Sequence, residues 1–128
     1  MLAHHRAVLN ELHQGLGKEV VLVTGETPEA NRAAAIERFQ TEPMTRFFLG
    51  SIRAMGIGVT LTAASRVIFV EQDWTPAILR QAEDRLHRIS QRKPVLSQYL
   101  VVPDSIDVNV MRSVITKIDV IERAIEKA

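Results

Sequence analysis

The sequence predicts an α/β domain of three layers, α/β/α, built on a mainly parallel sheet. Three observations predict it. Short apolar runs such as "EVVLVTG" and "RVIFVE" stop at a glycine or an acidic residue and read as buried strands. Segments with apolar residues every three or four positions lie between them and read as helices. The two kinds alternate as β-α-β-α-β-loop-β-α-β-α, and strands separated by helices imply parallel pairing with right-handed crossovers.

The elements follow in order. "MLA" reads as the tail of a strand, so the first strand is nearly missing and its sheet neighbour is expected to lack a full partner. Arg6 to Leu16 reads as a helix with Val8, Leu9, Leu12 and Leu16 on one side, ended by Gly15 and Gly17. Glu19 to Gly25 is a strand. Thr27 as N-cap and Pro28 in the first turn open a helix over Glu29 to Gln40. Thr45 to Gly50 is the next strand, followed by the glycine-punctuated loop "SIRAMGIGVTLTAAS". Arg66 to Glu71 is a strand, and Thr75-Pro76 caps a third helix carrying "QAEDRLHRISQR". Val95 to Val102 is the last strand, and residues 105–127 form a terminal helix. Its stripe of Met111, Val114, Ile118, Ile121 and Ile125 either packs on this domain's own sheet or forms an exposed seam.

Composition narrows the function classes. The 128 residues fit one domain, residues 1–128, and a chain of this size buries roughly two thirds of its unfolded surface. A net charge of +1 excludes binding nucleic acid by bulk charge, so any such contact must come from placed groups. Without cysteine there is no disulfide and no thiolate metal site. No apolar run approaches the roughly 18 residues of a membrane span, so no membrane partner is expected. The abrupt opening in "MLAHHR" reads as a piece of a longer chain.

Ligands of parallel α/β sheets sit at the carboxyl ends of the strands. The loops there are "AHHR", "TGET", "GSIRAMGIG" and "EQDWTP", and they hold most of the polar and glycine-bearing chemistry. In the third helix, Ile78, Ala82, Leu86 and Ile89 fall in one apolar sector, with Leu79 at its edge. Gln81, Arg85 and Arg88, at i, i+4 and i+7, share the adjoining polar face with Asp84. A planar guanidinium half-shielded from water favours bidentate binding of a carboxylate or phosphate. The plainer alternative is an Asp84–Arg88 pair on a solvated face. Gly56 and Gly58 permit close backbone approach to a ligand, or simply a flexible turn. Amides at the helix start beside Thr24, Gly25 and Thr27 are able to hold an anion, or are ordinarily capped. The adjacent His4 and His5 point to opposite sides of a strand end and do not read as a metal site. Asp73 reads as an Asx-type helix-entry contact before an acid–base group, and Trp74 as a hydrophobic anchor.

Together these segments resemble one family. The sequence is similar to the second RecA-like lobe of a superfamily-two helicase-type ATPase of the Swi/Snf class. "GSIRAMGIGVTLTAASRVIFVEQDWTP" resembles motif V of that class and the strand after it, and "QAEDRLHRISQ" resembles motif VI. "LVTGETPEANRAAAIERFQ" resembles the segment bearing motif IVa, and "LAHHRAVL" resembles motif IV. The form of the glycine loop is most like the HepA-related annealing-helicase subgroup. The likeness covers about Leu2 to Val102. Ser90 departs from the usual glycine of motif VI, Thr60 from a common asparagine, and Met55 from a position that is often small.

The resemblance implies a role for each segment. ATP, with Mg²⁺, would lie between this lobe and an N-terminal RecA-like lobe of the same chain. Arg85 and Arg88 would reach the γ-phosphate, Gln81 would orient them, and Gly56 and Gly58 would line the nucleotide edge. Ser51, Arg53, Thr27 and one of His4 and His5, most directly His5, would hold phosphates of duplex or forked DNA. The arginine pair is expected to face the glycine loop at one sheet edge. Lacking a P-loop and the acidic motif of the first lobe, the 128 residues are expected not to hydrolyse ATP alone. The alternative is a non-catalytic α/β interaction or regulatory module. The alanine-rich, insertion-poor chain leans towards a bacterial or phage source and a cytoplasmic setting, or a nuclear one if the source is eukaryotic.

Overall fold

The computed structural model describes residues 1–56, 58–71, 73 and 75–127. Among the described residues the strands and α-helices are β1 (Leu2–Ala3), α1 (Arg6–Leu16), β2 (Val20–Val23), α2 (Glu29–Thr41), β3 (Phe47–Ser51), β4 (Arg66–Phe69), α3 (Pro76–Glu83), β5 (Leu96–Tyr99) and α4 (Ile106–Glu126). Every strand pair is parallel, and the sheet order is β2-β3-β1-β4-β5. The predicted α/β class and parallel sheet are what the chain forms.

The shortest strand holds the middle of the sheet. Leu2 stands beside Gly50 on one side and Phe69 on the other. The ladder continues at both ends, because Gly50 N donates to Met1 O at 3.0 Å and Ile52 N to Ala3 O at 3.0 Å. Val70 N donates to Leu2 O at 2.8 Å on the far side. Two strand residues therefore bridge two neighbours. The sheet is not split at this point, as the brevity of "MLA" had implied.

Strand alternation sorts side chains onto two faces. Val21, Val23, Phe48, Leu2, Val67 and Phe69 meet α2, α3 and α4 in the larger core cluster. Ala3, Val20 and Leu49 meet Leu9 of α1, with Val8, Leu12 and Leu16 packed beside them. The layers are three but unequal, with three helices on one face and α1 alone on the other. Beneath the β5 side of the α1 face, Leu96 and Leu100 are half exposed, at 49% and 51%.

Two glycines have distinct physical reasons. A Cβ on Gly50 would stand 2.8 Å from Met55 Cε and 3.1 Å from Phe48 Cε1, so any side chain on this strand beside the central one must push neighbouring side chains aside. Gly58 has φ of +46°, a backbone that side-chain-bearing residues seldom adopt.

The helices close with small differences from expectation. Pro28, not Thr27, is the N-cap of α2, and no side chain caps that helix. Thr27 Oγ1 instead accepts from Thr24 N at 2.9 Å, which tightens the turn before the helix. Ser105 caps α4 by accepting from Asp107 N at 3.2 Å. In α4, Val110, Met111 and Val114 are buried on the sheet's larger core. The same stripe continues into solvent at Ile121 and Ile125, so the expected packing on this domain's own sheet holds for the first half of the helix.

Candidate functional site

The loops at the carboxyl ends of β1, β3 and β4 meet around an open cleft of about 630 Å³, lined by His4, His5, Ser51, Arg53, Asp73, Thr75 and Ile78. The chain leaves β1 for β2 on one side and returns from β3 across to β4 on the other. The cleft thus sits at the reversal of strand order, where parallel sheets place ligands. Ser51 ends β3, and Arg53 starts a 3-10 turn over Arg53–Gly56 that packs on α3.

Two carboxylates far along the chain organise the histidines. Glu71 accepts from His4 N and His5 N at 2.7 Å each and pairs with His5 Nδ1 at 2.5 Å. Burial alone would raise the Glu71 carboxyl, but hydrogen bonds from the His5 amide, the His5 ring and the His4 amide hold it below the ordinary carboxylate value. Asp73 is buried; its Oδ1 accepts from Thr75 N at 2.7 Å, and its Oδ2 lies 3.1 Å from His4 Nε2. The Asx-type contact predicted for Asp73 is present. The two imidazole rings turn to different carboxylates, His5 to Glu71 and His4 to Asp73; among the described residues no group of three or more His, Cys, Asp or Glu side chains is placed to hold a metal. His5 keeps Nε2 on a side chain that is 78% exposed. Arg6 pairs with Glu26 and so ties this edge to the Thr24–Thr27 turn. Trp74 lies outside the described residues.

The arginine stretch differs from its sequence reading. Helix α3 ends at Glu83, so Gln81 stands on a helix while Arg85 and Arg88 stand in the turns after it. The backbone tightens there: Arg85 N bonds to Ala82 O at 3.3 Å and Leu86 N to Glu83 O at 2.9 Å, i to i−3 bonds in place of the helical i to i−4. Leu61 N takes the Arg85 carbonyl at 2.9 Å, and Gln91 Nε2 takes the Leu86 carbonyl at 3.2 Å. Ile89 consequently leaves the apolar sector and is fully exposed, whereas Leu79 is wholly buried. Among the described residues there is no Asp84–Arg88 ion pair. Arg85 is half-buried, and Gln81 and Arg88 are exposed.

The expected single edge also divides in two. Helix α3 starts beside Asp73 at the carboxyl ends of the strands and runs back against them. The turns after it, at Arg85 and Gln91, meet Leu61 to Ala64, just before β4 begins. The Arg85 turn therefore flanks the end of the glycine loop at the amino edge of the sheet, opposite the histidine cleft. Gly56 closes the 3-10 turn at the carboxyl edge, and Gly58 begins the return. Two glutamines that the sequence reading missed, Gln40 and Gln91, hold this region. Gln40 of α2 donates to Thr62 Oγ1 at 3.1 Å and accepts from Ala63 N at 2.7 Å, and Gln91 binds the carbonyls of Thr62 and Ala64. No periodicity signals such contacts, because glutamine serves equally well on a solvated surface.

The helicase conserved C-terminal domain model matches residues 2–90, which takes in β1 to α3, the cleft and the arginine turn. The chain belongs to that family. This helicase C-terminal domain is 39% identical, over 94% of its length, to a Caenorhabditis elegans homologue of SWI/SNF-related matrix-associated actin-dependent regulator of chromatin subfamily A-like protein 1. It is 36% identical, over 84% of its length, to the DNA annealing helicase and endonuclease ZRANB3 of Mus musculus. These alignments cover 18% and 10% of the relatives, so the chain spans less than a fifth of their length. The C-terminal part of the Fun30 ATPase domain superposes with a TM-score of 0.83 at 29% identity, over 88% of this chain and 37% of that one. The Swi/Snf-class and RecA-like resemblance stands, and the homologues include annealing helicases. These relatives are animal proteins and give the bacterial or phage source no support. No helix of the described residues is long and apolar enough to cross a membrane.

Proposed function

We propose that this domain is the second lobe of an ATP-dependent DNA translocase or remodeller, donating arginines to a nucleotide shared with a first lobe and holding DNA phosphates on a separate surface. The observation that carries the reading is the stitching of the motif VI turn to the motif V loop by Leu61 N and Arg85 O. It presents a half-buried Arg85 and an exposed Arg88 on a fixed backbone, as a phosphate-reaching pair requires.

ATP is the substrate in this reading. The guanidinium donors present here fit its γ-phosphate, and Mg²⁺ would be held chiefly by the first lobe, where it neutralises charge between phosphates. Arg85 and Arg88 oppose the charge that develops on the transferring phosphoryl group, worth roughly 10³–10⁵ in rate in the related GTPase case. Gln81 orients the pair, whereas Gly56 closes the turn at the carboxyl edge and Gly58 begins the return from it, apart from the arginines, so the two glycines take no nucleotide contact in this reading. Ser51, Arg53, Thr27 and His5 hold DNA phosphates at the carboxyl edge, with His5 offering Nε2. Because the two surfaces lie at opposite sheet edges, nucleotide and DNA do not compete for one site.

The test is turnover in the two-lobed ATPase. Arg85→Ala and Arg88→Ala are expected to abolish ATP hydrolysis while DNA affinity changes little. Normal turnover in both variants would refute the assignment.

A further inference from the structure

We propose that Gln91 is a positioning residue for the arginine turn, acting with Gln40 through the loop segment Thr62–Ala64 that both side chains grip. The inference rests on Arg85 and Arg88 being the γ-phosphate arginines.

Gln91 is half-buried, and its carboxamide nitrogen faces three carbonyl oxygens: Thr62 at 3.2 Å, Ala64 at 2.7 Å and Leu86 at 3.2 Å. Its Oε1 accepts from Lys93 N at 3.1 Å. Three acceptors on one side fix which end is nitrogen, since an oxygen there would meet only lone pairs. One side chain thus joins the loop before β4 to the first turn after α3. Gln40 grips the same loop from the α2 side, through Thr62 Oγ1 and Ala63 N. Leu61 N adds the direct bond to Arg85 O. The result is a continuous polar staple running from α2, through the end of the glycine loop, to the backbone that carries both arginines.

The staple ties the backbone between Arg85 and Arg88 to the loop before β4 through the Arg85 and Leu86 carbonyls. Release of the staple would free that backbone and displace both guanidinium groups. Reaction rates are steep in such displacement, with an error of about 1 Å costing on the order of 10²-fold.

The experiment uses the two-lobed ATPase with Gln91→Glu, which keeps the shape of the side chain but turns an oxygen towards three carbonyls, and Gln40→Ala, which releases only the loop. Turnover is measured with ATP, binding is measured with ADP alone and with ADP plus fluoroaluminate as a transition-state mimic, and thermal midpoints report folding. The expected result for Gln91→Glu is a kcat lower by roughly 100-fold with a nearly unchanged KM for ATP. Affinity for the fluoroaluminate complex should fall in step while that for ADP holds. Acidification that protonates the introduced carboxyl should recover part of kcat relative to the unaltered enzyme. Gln40→Ala should show the same split at roughly a tenth of the size, and it carries the test if Gln91→Glu does not fold.

A folded Gln91→Glu enzyme with unaltered kcat, or a loss matched wholly by its unfolded fraction, overturns the proposal. If Arg85→Ala and Arg88→Ala themselves turn over normally, the reading of the arginines has failed. If those two lose turnover and the glutamine variants do not, only the staple has failed.

Discussion

Replacing Glu71 perturbs the junction of β1 and α1 without touching the core. Its carboxylate accepts from two consecutive amides at the start of α1, each at 2.7 Å, and from the His5 ring. Hydrogen bonds to a charged acceptor are worth about 1.5–3 kcal/mol each when well made, and a carboxylate near a helix N-terminus adds about 0.3–1 kcal/mol. The His5 ring is largely exposed, so its ion pair adds at most about 1 kcal/mol. Water can reach the amides once the side chain is cut back, which brings the expected cost of Glu71→Ala to about 2–3 kcal/mol. Glu71→Gln keeps one accepting oxygen and should cost about 1 kcal/mol.

The pH dependence has a definite sign. The folded carboxyl is held below its ordinary value of 4.5, so the folded state binds fewer protons than the unfolded state just beneath that value. Stability from Glu71 is fully present above about pH 4.5 and is lost as pH falls through the lowered folded value. Urea midpoints of the unaltered chain and Glu71→Gln, taken from about pH 3 to about pH 7, should differ by a constant amount above about pH 5 and converge below it. A gap as wide at the acid end as at neutrality would show that the charge on Glu71 contributes nothing.

Other expectations follow from single contacts. Leu79→Ala empties a wholly buried site in the larger core and should cost about 2–5 kcal/mol in a denaturant titration. Gly50→Val forces Met55 and Phe48 aside on the strand beside the central one and should cost more than Gly50→Ala, which is expected near 1–3 kcal/mol. Tyr99 donates its hydroxyl to Glu83 Oε1 at 2.8 Å, and burial followed by that bond pushes its phenol upward. Ultraviolet titration should therefore leave Tyr99 protonated where an exposed tyrosine ionises, and Glu83→Gln should bring the transition down. Arg53→Ala in the two-lobed enzyme should weaken DNA binding about equally for all sequences and lower the salt slope by about 1, whereas a sequence-dependent loss would argue against a phosphate contact.

Much of the fold was legible because periodicity reports burial. Helix α1 spans Arg6–Leu16 as its apolar spacing predicts, and the "EVVLVTG" run contains β2. Leu2–Ala3 was legible as a strand end but not as the sheet's central strand, since two residues carry no period. The polar lining of the cleft was legible from loops at strand ends. Its organisation was not, because Glu71 and Asp73 meet His4 and His5 across 66 residues or more of chain.

The arginine turn shows most clearly where sequence reasoning stops. Side-chain spacing from Ile78 to Ile89 is helical, and nothing local contradicts a helix continuing to Arg88. The helix gives way at Arg85 to tighter i to i−3 turns, and Leu61 N and the Gln91 carboxamide then take the carbonyls of Arg85 and Leu86. Both donors belong to the segments that resemble motifs V and VI, and one of them, Leu61, is delivered only by the tertiary fold. The backbone that carries Arg85 is thus tied to the glycine loop. Substitutions along that loop should alter the placement of the arginines even where they touch neither nucleotide nor DNA.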